Sequence, residues 1–242
     1  MTVQDPYHFH PELRGKIKPA AESFFRDLDL KAMDVRVQAA GLPADWRTPS
    51  VEREAERRDW LNGRWGQDLW IFGYGSLMWD PSVEFTEVRH AHCREYQRSF
   101  CLWDEGGRGT KVEPGLMLAL DDGGTCEGLA FRIDAKNLEH ETFVLFRREM
   151  IARAYRPVWL NLDTAGGPIE ALGFVADHVH EAIKPGIPLH DQAKMIARAE
   201  GVLGPNFDYL LNTQEHLEIL GIKDTYVSEL YTAVCNLRDA DA

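Results

Sequence analysis

Two glycines bracket a single tyrosine at the end of an apolar run, Trp70-Ile71-Phe72-Gly73-Tyr74-Gly75-Ser76-Leu77-Met78-Trp79. No other stretch so constrains what the chain can fold into. Leu69 to Phe72 is short and continuously apolar, the pattern of a strand covered on both faces. Gly73 and Gly75 allow positive φ and a close backbone approach, so that successive N–H groups can converge on a carboxylate or carbonyl oxygen. A buried strand ending in a glycine turn is the plainer reading of the same residues.

From Asp68 onward the chain alternates short apolar runs with turn residues. Strands are predicted around Glu95 to Leu102, Gly115 to Leu120, Gly128 to Ile133, Tyr155 to Leu162 and Ile169 to Val175. Asp121-Asp122-Gly123-Gly124 and Ala165-Gly166-Gly167-Pro168 read as hairpin turns. Helical spacing covers Leu138 to Ala154, Leu189 to Val202, Phe207 to Leu220 and Thr225 to Leu237. This order predicts an α+β fold, its mainly antiparallel sheet curled into a small barrel with flanking helices.

Residues 1 to 68 form a helical extension by pattern, leaving 69 to 242 as the main domain. Leu13, Ile17, Ala20, Ala21, Phe24, Phe25 and Leu28 recur at spacings of three and four, predicting one helix from Glu12 to Leu30 with an apolar stripe. The charge-rich Val51 to Trp60 predicts a second, solvated helix capped by Ser50.

The net charge of −12 over 242 residues excludes the clustered basic surface that nucleic-acid binding needs. No apolar run reaches the length of a membrane span, and the first residues lack the order of a signal peptide. A cytosolic location is expected. Cys93, Cys101, Cys126 and Cys235 form no CxxC pair, so reduced and mostly buried thiols are expected.

Glu149, in Phe146-Arg147-Arg148-Glu149-Met150, points the same way round its helix as Leu145 and Phe146. A carboxylate in an apolar stripe is desolvated, which raises its pKa toward the range useful for proton transfer. An ion pair with Arg153 at i+4 is the bland alternative. Gly106-Gly107-Arg108-Gly109 reads as a flexible loop carrying one cation. The H-x-H pairs His8/His10, His90/His92 and His178/His180 are read as surface histidines, and no metal is expected. Ser76 does not stand in a G-x-S-x-G elbow, which argues against a serine nucleophile.

Several of these pieces occur together in a known order. WIFGYGSLMW, Pro114-Gly115 followed by the apolar Leu116 to Leu120, Gly128-Leu129-Ala130-Phe131-Arg132, the R-R-E-M segment, and Gly204-Pro205-Asn206 leading to Tyr209-Leu210 resemble the ChaC-like γ-glutamylcyclotransferases from about Leu69 to about Leu230. Two positions depart from the family: Leu116 stands where many members have Arg, and Phe131 where Tyr is usual.

The resemblance implies release of 5-oxoproline from a γ-glutamyl compound, glutathione in this branch, with Cys-Gly as the second product. It implies Glu149 as general acid/base. Substrate contacts are implied from Gly73, Tyr74, Gly75, Ser76, Leu77, Met78 and Tyr209, with Arg108 lining the entrance. No cofactor is required, because the substrate's own α-amine is the nucleophile. A non-enzymatic binding or regulatory protein on the same fold, as the family's former cation transport regulator label suggested, is the alternative function.

Overall fold

The computed structural model describes residues 5–39, 41 and 43–240. Its centre is a closed five-stranded barrel. Strand β1 (Leu69–Gly73) pairs antiparallel with β5 (Cys126–Ile133), and β5 pairs with β2 (Glu87–Cys93). β2 meets β6 (Tyr155–Thr164) only through Ala91 to Cys93; β6 pairs along its length with β7 (Ile169–Ala176). One parallel seam, Trp70 opposite Ala171 and Ile71 opposite Leu172, closes the ring. Ile71, Val88, Leu129, Phe131, Leu160, Leu172 and Phe174 are all buried in the core that results. The predicted α+β barrel is therefore what forms. β2, absent from the predicted strands, is the member that the sequence hides: its charged and histidine residues mask the pattern.

The turn at Asp121 to Gly124 differs from expectation. Its two glycines are left-handed, φ 85° at Gly123 and 67° at Gly124, yet the strands on either side do not pair with each other. β4 (Gly115–Asp122) pairs with β3 (Tyr96–Asp104), and β5 with β2. Residues 87–104 and 115–133 are thus one long two-stranded ribbon, with register passing from Cys93 opposite Cys126 to Tyr96 opposite Asp122. The glycines are its bend, tied by the Gly123 N–H to the Glu95 carbonyl at 2.8 Å. Left-handed residues sharpen a ribbon's twist as readily as they reverse a chain, and here they turn β3 and β4 away from the barrel. The second expected hairpin is present: Gly167 (φ 99°) donates to the Thr164 carbonyl at 3.0 Å between β6 and β7.

Two helices of the extension, α1 (Leu30–Ala39) and α2 (Ser50–Trp60), precede the barrel; α3 (Leu138–Glu149) follows β5. The last three are α4 (Leu189–Arg198), α5 (Asn206–Leu220) and α6 (Thr225–Ala240), which pack on one another and, through α4 and α5, on β4. α3 stops at Glu149 instead of continuing to Ala154. Buried Arg98 links these layers: its guanidinium donates to the carbonyls of Tyr74 (2.7 Å) and Glu127 (2.5 Å) and to Asp224 (2.9 Å).

The extension is not the expected helix from Glu12 to Leu30. Gly15 (φ 77°) and Pro19 interrupt that span, which holds only short 3-10 turns at Pro11–Leu13 and Ala20–Glu22. Leu13, Ile17 and Leu28 are nevertheless buried, whereas Phe24 is 64% exposed. α2 begins at Ser50 with Pro49 as its cap, and it is not wholly solvated. Arg57 turns inward, reaching the Thr142 hydroxyl (2.7 Å) and the Glu139 carboxylate (2.8 Å) on α3. Arg26 makes a forked pair with Glu141, at 2.7 and 2.9 Å. Thus buried polar groups of α3, Glu141 and Thr142, are met by arginines of the extension.

The Glu141 side chain is only 2% exposed, so removing its cation leaves a buried charge with one remaining partner, the Glu84 N–H. Arg26→Ala is expected to destabilise by about 3 kcal/mol in urea titration. Arg14→Ala, which breaks an exposed pair with Asp5, is expected to cost less than about 1 kcal/mol. Equal losses for the two variants would contradict this account of how the extension is held.

Candidate active site

β1 delivers Gly73 to the end of the barrel, where the chain turns back on itself. A Cβ on Gly73 would lie 3.1 Å from the Leu77 carbonyl carbon and 3.2 Å from the Met78 nitrogen, so any side chain there would push the turn back by a few tenths of an ångström. Positive φ is not used: Gly75 sits at φ −128°, and neither Gly73 nor Gly75 is left-handed. Ser76–Met78 forms one 3-10 turn, in which Met78 donates to the Gly75 carbonyl at 2.8 Å. The Met78 amide is therefore spent. The Ser76 and Leu77 amides open the turn and have no acceptor within it. The side chains of Leu77 and Met78 are buried in the core, leaving backbone, Tyr74 and Ser76 as the polar groups of this loop.

Arg148 binds that loop to α3. Its guanidinium donates to the Ser76 hydroxyl (2.8 Å), the Ser82 hydroxyl (3.4 Å) and the Asp80 carbonyl, and its Nε lies 3.0 Å from Glu149 Oε1. The ring of Phe25 covers it, 4.0 Å from the guanidinium carbon. Glu149 is the last residue of α3, with 13% of its side chain exposed. Burial raises its pKa above the ordinary value of 4.5, and the Arg148 charge opposes part of that rise. The sequence-based alternative of a pair with Arg153 is not what forms, since Arg153 pairs with Glu52.

Three phenols share the electrostatic field of Glu149. Burial pushes Tyr209 up to about 12, partly offset by a hydrogen bond from the Leu118 backbone; the Glu149 charge adds to the rise and the Arg148 and Arg108 charges oppose it. Tyr74 and Tyr155 are raised well above 10, by burial first and then by Glu149 and their neighbouring phenols. Tyr155 donates to the Leu118 carbonyl at 3.1 Å. All three stay protonated across the physiological range and can serve as donors.

The Gly-Pro-Asn segment builds the other wall. Gly204 is left-handed (φ 90°), Pro205 caps α5, and Asn206 is the first residue of that helix, not its cap. The fully buried Asn206 amide binds both backbone groups of Leu116, accepting from its N–H at 2.7 Å and donating to its carbonyl at 2.8 Å. α5 is thereby fastened to the start of β4, which sets where Tyr209 points. The Leu116 and Phe131 side chains, at the two positions departing from the family, lie fully in the core. Gly106 to Gly109 is held: the Asp104 carboxylate accepts from the amides of Gly106, Gly107 and Arg108 at 3.1, 2.8 and 2.5 Å. Arg108 reaches the Pro205 carbonyl at 3.2 Å.

The fold therefore brings together Tyr74, Ser76, Tyr209, Arg108 and Glu149 from the sequence-derived set. It adds Arg148 and Tyr155, which the sequence reading passed over: Arg148 adjoins Glu149 in R-R-E-M, and Tyr155 opens a strand just beyond α3. A carboxylate held by a cation among neutral phenols, next to a glycine turn with unspent amides, can accept and return a proton while donors meet an oxyanion. The Ser76 hydroxyl accepts from a permanent cation, which cannot serve as its base.

The protein family described as ChaC-like protein matches residues 69–237. The glutathione-specific gamma-glutamylcyclotransferase of Escherichia coli (strain K12) is 41% identical over 170 residues, covering 70% of this chain and 74% of that protein. That of Schizosaccharomyces pombe is 31% identical over 188 residues, covering 69% of this chain and 92% of its own. A crystal structure of the yeast glutathione-specific gamma-glutamyl cyclotransferase has the same fold, with a TM-score of 0.62 at 20% identity over 71% of this chain and all of that one. No helix among the described residues is long and apolar enough to cross a membrane. With the glycine turn, the buried carboxylate and the Asn206-anchored tyrosine all inside the matched span, this chain belongs to the ChaC-like protein family.

Proposed function

We propose that the chain is a glutathione-specific γ-glutamylcyclotransferase, that residues 69–242 carry the reaction, and that Glu149 is its general acid/base. The observation that carries this reading is the Glu149 carboxylate, raised in pKa by burial, held by Arg148 and close enough to three neutral phenols for its charge to act on them. In the proposed reaction the substrate's α-amine nitrogen attacks its own γ-carbonyl carbon. A five-membered lactam forms, the bond to the cysteine nitrogen breaks, and 5-oxoproline and Cys-Gly leave. Glu149 accepts the proton lost by the amine and returns it to the departing nitrogen, so the base is regenerated.

Positioning supplies most of the rate, since well-oriented intramolecular reactions show effective molarities of about 10⁵ to 10⁸ M. The amides of Ser76 and Leu77 serve the glutamyl carboxylate or the developing oxyanion, with Gly73 and Gly75 giving room for the approach. Tyr74 and Tyr209 donate from the opposite wall, Tyr155 stays bound to the Leu118 carbonyl, and Arg108 meets the anionic substrate near Pro205. No cofactor takes part. The names of the relatives support glutathione as substrate, and binding energy from the remote Cys-Gly portion would help hold the glutamyl arm folded.

A single substitution separates catalysis from stability. Glu149→Gln is nearly isosteric and is expected to lower kcat for 5-oxoproline release by roughly 10² to 10⁴ while glutathione still binds. The same variant is expected to melt above the wild type at pH 7. Because the native pKa is raised, the folded state holds the proton more tightly than the unfolded one, and stability is lost as pH rises through the native value. The advantage of the glutamine should therefore vanish below the ordinary glutamate value of 4.5. Unchanged kcat, or a melting difference independent of pH, would remove Glu149 from the role of buried base.

Substrate choice gives an independent check. Glutathione is expected to be turned over with a kcat/KM at least tenfold above that of γ-glutamyl-alanine, by the remote-binding argument. Comparable values would leave a cyclotransferase without glutathione specificity.

A further inference from the structure

Away from Glu149, a cluster joins the extension to the barrel. His10 caps the 3-10 turn at Pro11–Leu13 and Glu12 lies within it, while His90 lies on β2, eighty residues after His10. The segment is laid along β2 by the Val88 N–H, which donates to the Pro6 carbonyl at 3.0 Å, and by Leu13, fully buried beneath it. One ligand atom from each of His10, Glu12 and His90 falls within 4.8 Å of the others. His10 Nδ1 is 3.0 Å and His90 Nε2 3.9 Å from Glu12 Oε1. The two imidazoles meet edge to face with centroids 4.7 Å apart.

We propose that His10, Glu12 and His90 form a binding site for a borderline divalent cation such as zinc, stapling the extension to β2. Donors bound to zinc at 2.0–2.2 Å in a tetrahedron lie about 3.3 Å apart, a value that the two separations from Glu12 bracket, so small side-chain rotations complete the site. Two imidazoles and one carboxylate are the ligand types such an ion takes with a fourth position left for water. The surroundings fit a cation: Glu127, Asp163 and His92 line the same cleft. Nε2 of His10 and Nε2 of His92 are buried there with no hydrogen-bond partner among the described residues. His10 offers Nδ1 to the ion, so neither orphaned nitrogen is itself a ligand; they mark the cleft beside the cluster as lined by buried imidazole edges. The ring closure proposed above needs no metal, so the ion's role is structural and does not depend on that reading.

The test is zinc binding to the full chain after removal of metal by chelation, measured by competition with a chromophoric chelator. One equivalent is expected to bind with a dissociation constant in the micromolar range or below, raising the melting temperature. His90→Ala and Glu12→Gln are each expected to weaken binding at least tenfold and to abolish the thermal shift. Glu12 is largely exposed, so its variant keeps the test valid should His90→Ala fold poorly. His178→Ala, which removes a histidine paired with Asp121 elsewhere, should bind as the wild type does. In place of zinc, cobalt should give the intense visible absorption of a four-coordinate site in the wild type and His178→Ala, and not in His90→Ala or Glu12→Gln. Absence of stoichiometric binding, or binding unchanged in both His90→Ala and Glu12→Gln, would overturn the proposal.

Discussion

The guanidinium of Arg148 is the contact on which the arrangement depends. A cation so nearly buried is tolerable only if its donors are met by acceptors. Ser76, Ser82, Asp80 and Glu149 provide that, and Phe25 covers the remaining face. The partners come from three stretches of chain: the loop from Ser76 to Ser82, the end of α3 and the extension. Satisfying one side chain therefore brings the glycine turn, the end of α3 and the extension into a single geometry. The orientation of Glu149 follows from it, because a carboxylate at a helix end would otherwise choose among several rotamers.

The same pairing sets the chemistry. Burial drives the Glu149 pKa up and Arg148 restrains the rise, so these two opposed effects set how tightly the carboxylate holds its proton. Stability is sacrificed for this, since an ionised carboxylate in a dry site is worse for folding than a neutral one. The three phenols, held protonated by the same burial, are donors whose polarity costs little there because backbone groups already engage them.

The bent ribbon explains why the barrel alone does not make the site. β2 and β5 complete the ring, but β3 and β4 leave it at Gly123 and Gly124 and carry Leu116 and Leu118 outward. There Asn206 fastens α5 to β4, and Leu118 offers its backbone to Tyr155 and Tyr209. A straight ribbon would leave those phenols with no shared wall.

What the sequence by itself determined is local: the apolar strand ending at Gly73, the desolvated face of α3 that holds Glu149, the helix carrying Tyr209, and a motif order sufficient to identify the family. These were legible because strand and helix periods are read over neighbouring residues, and because R-E and G-P-N are short. Only the tertiary structure decided the rest. Gly123 and Gly124 turned out to bend a ribbon and not to close a hairpin, because pairing partners lie far along the chain. Leu13, Ile17 and Leu28 are buried without forming a helical stripe, since Gly15 and Pro19 break the helix while the main core still accepts Leu13 and Ile17. Arg148 chose Ser76 and Glu149, Phe25 came to lie over it, and His10 met His90. Such pairings are settled by desolvation and satisfied hydrogen bonds across the fold, which no window of consecutive residues contains.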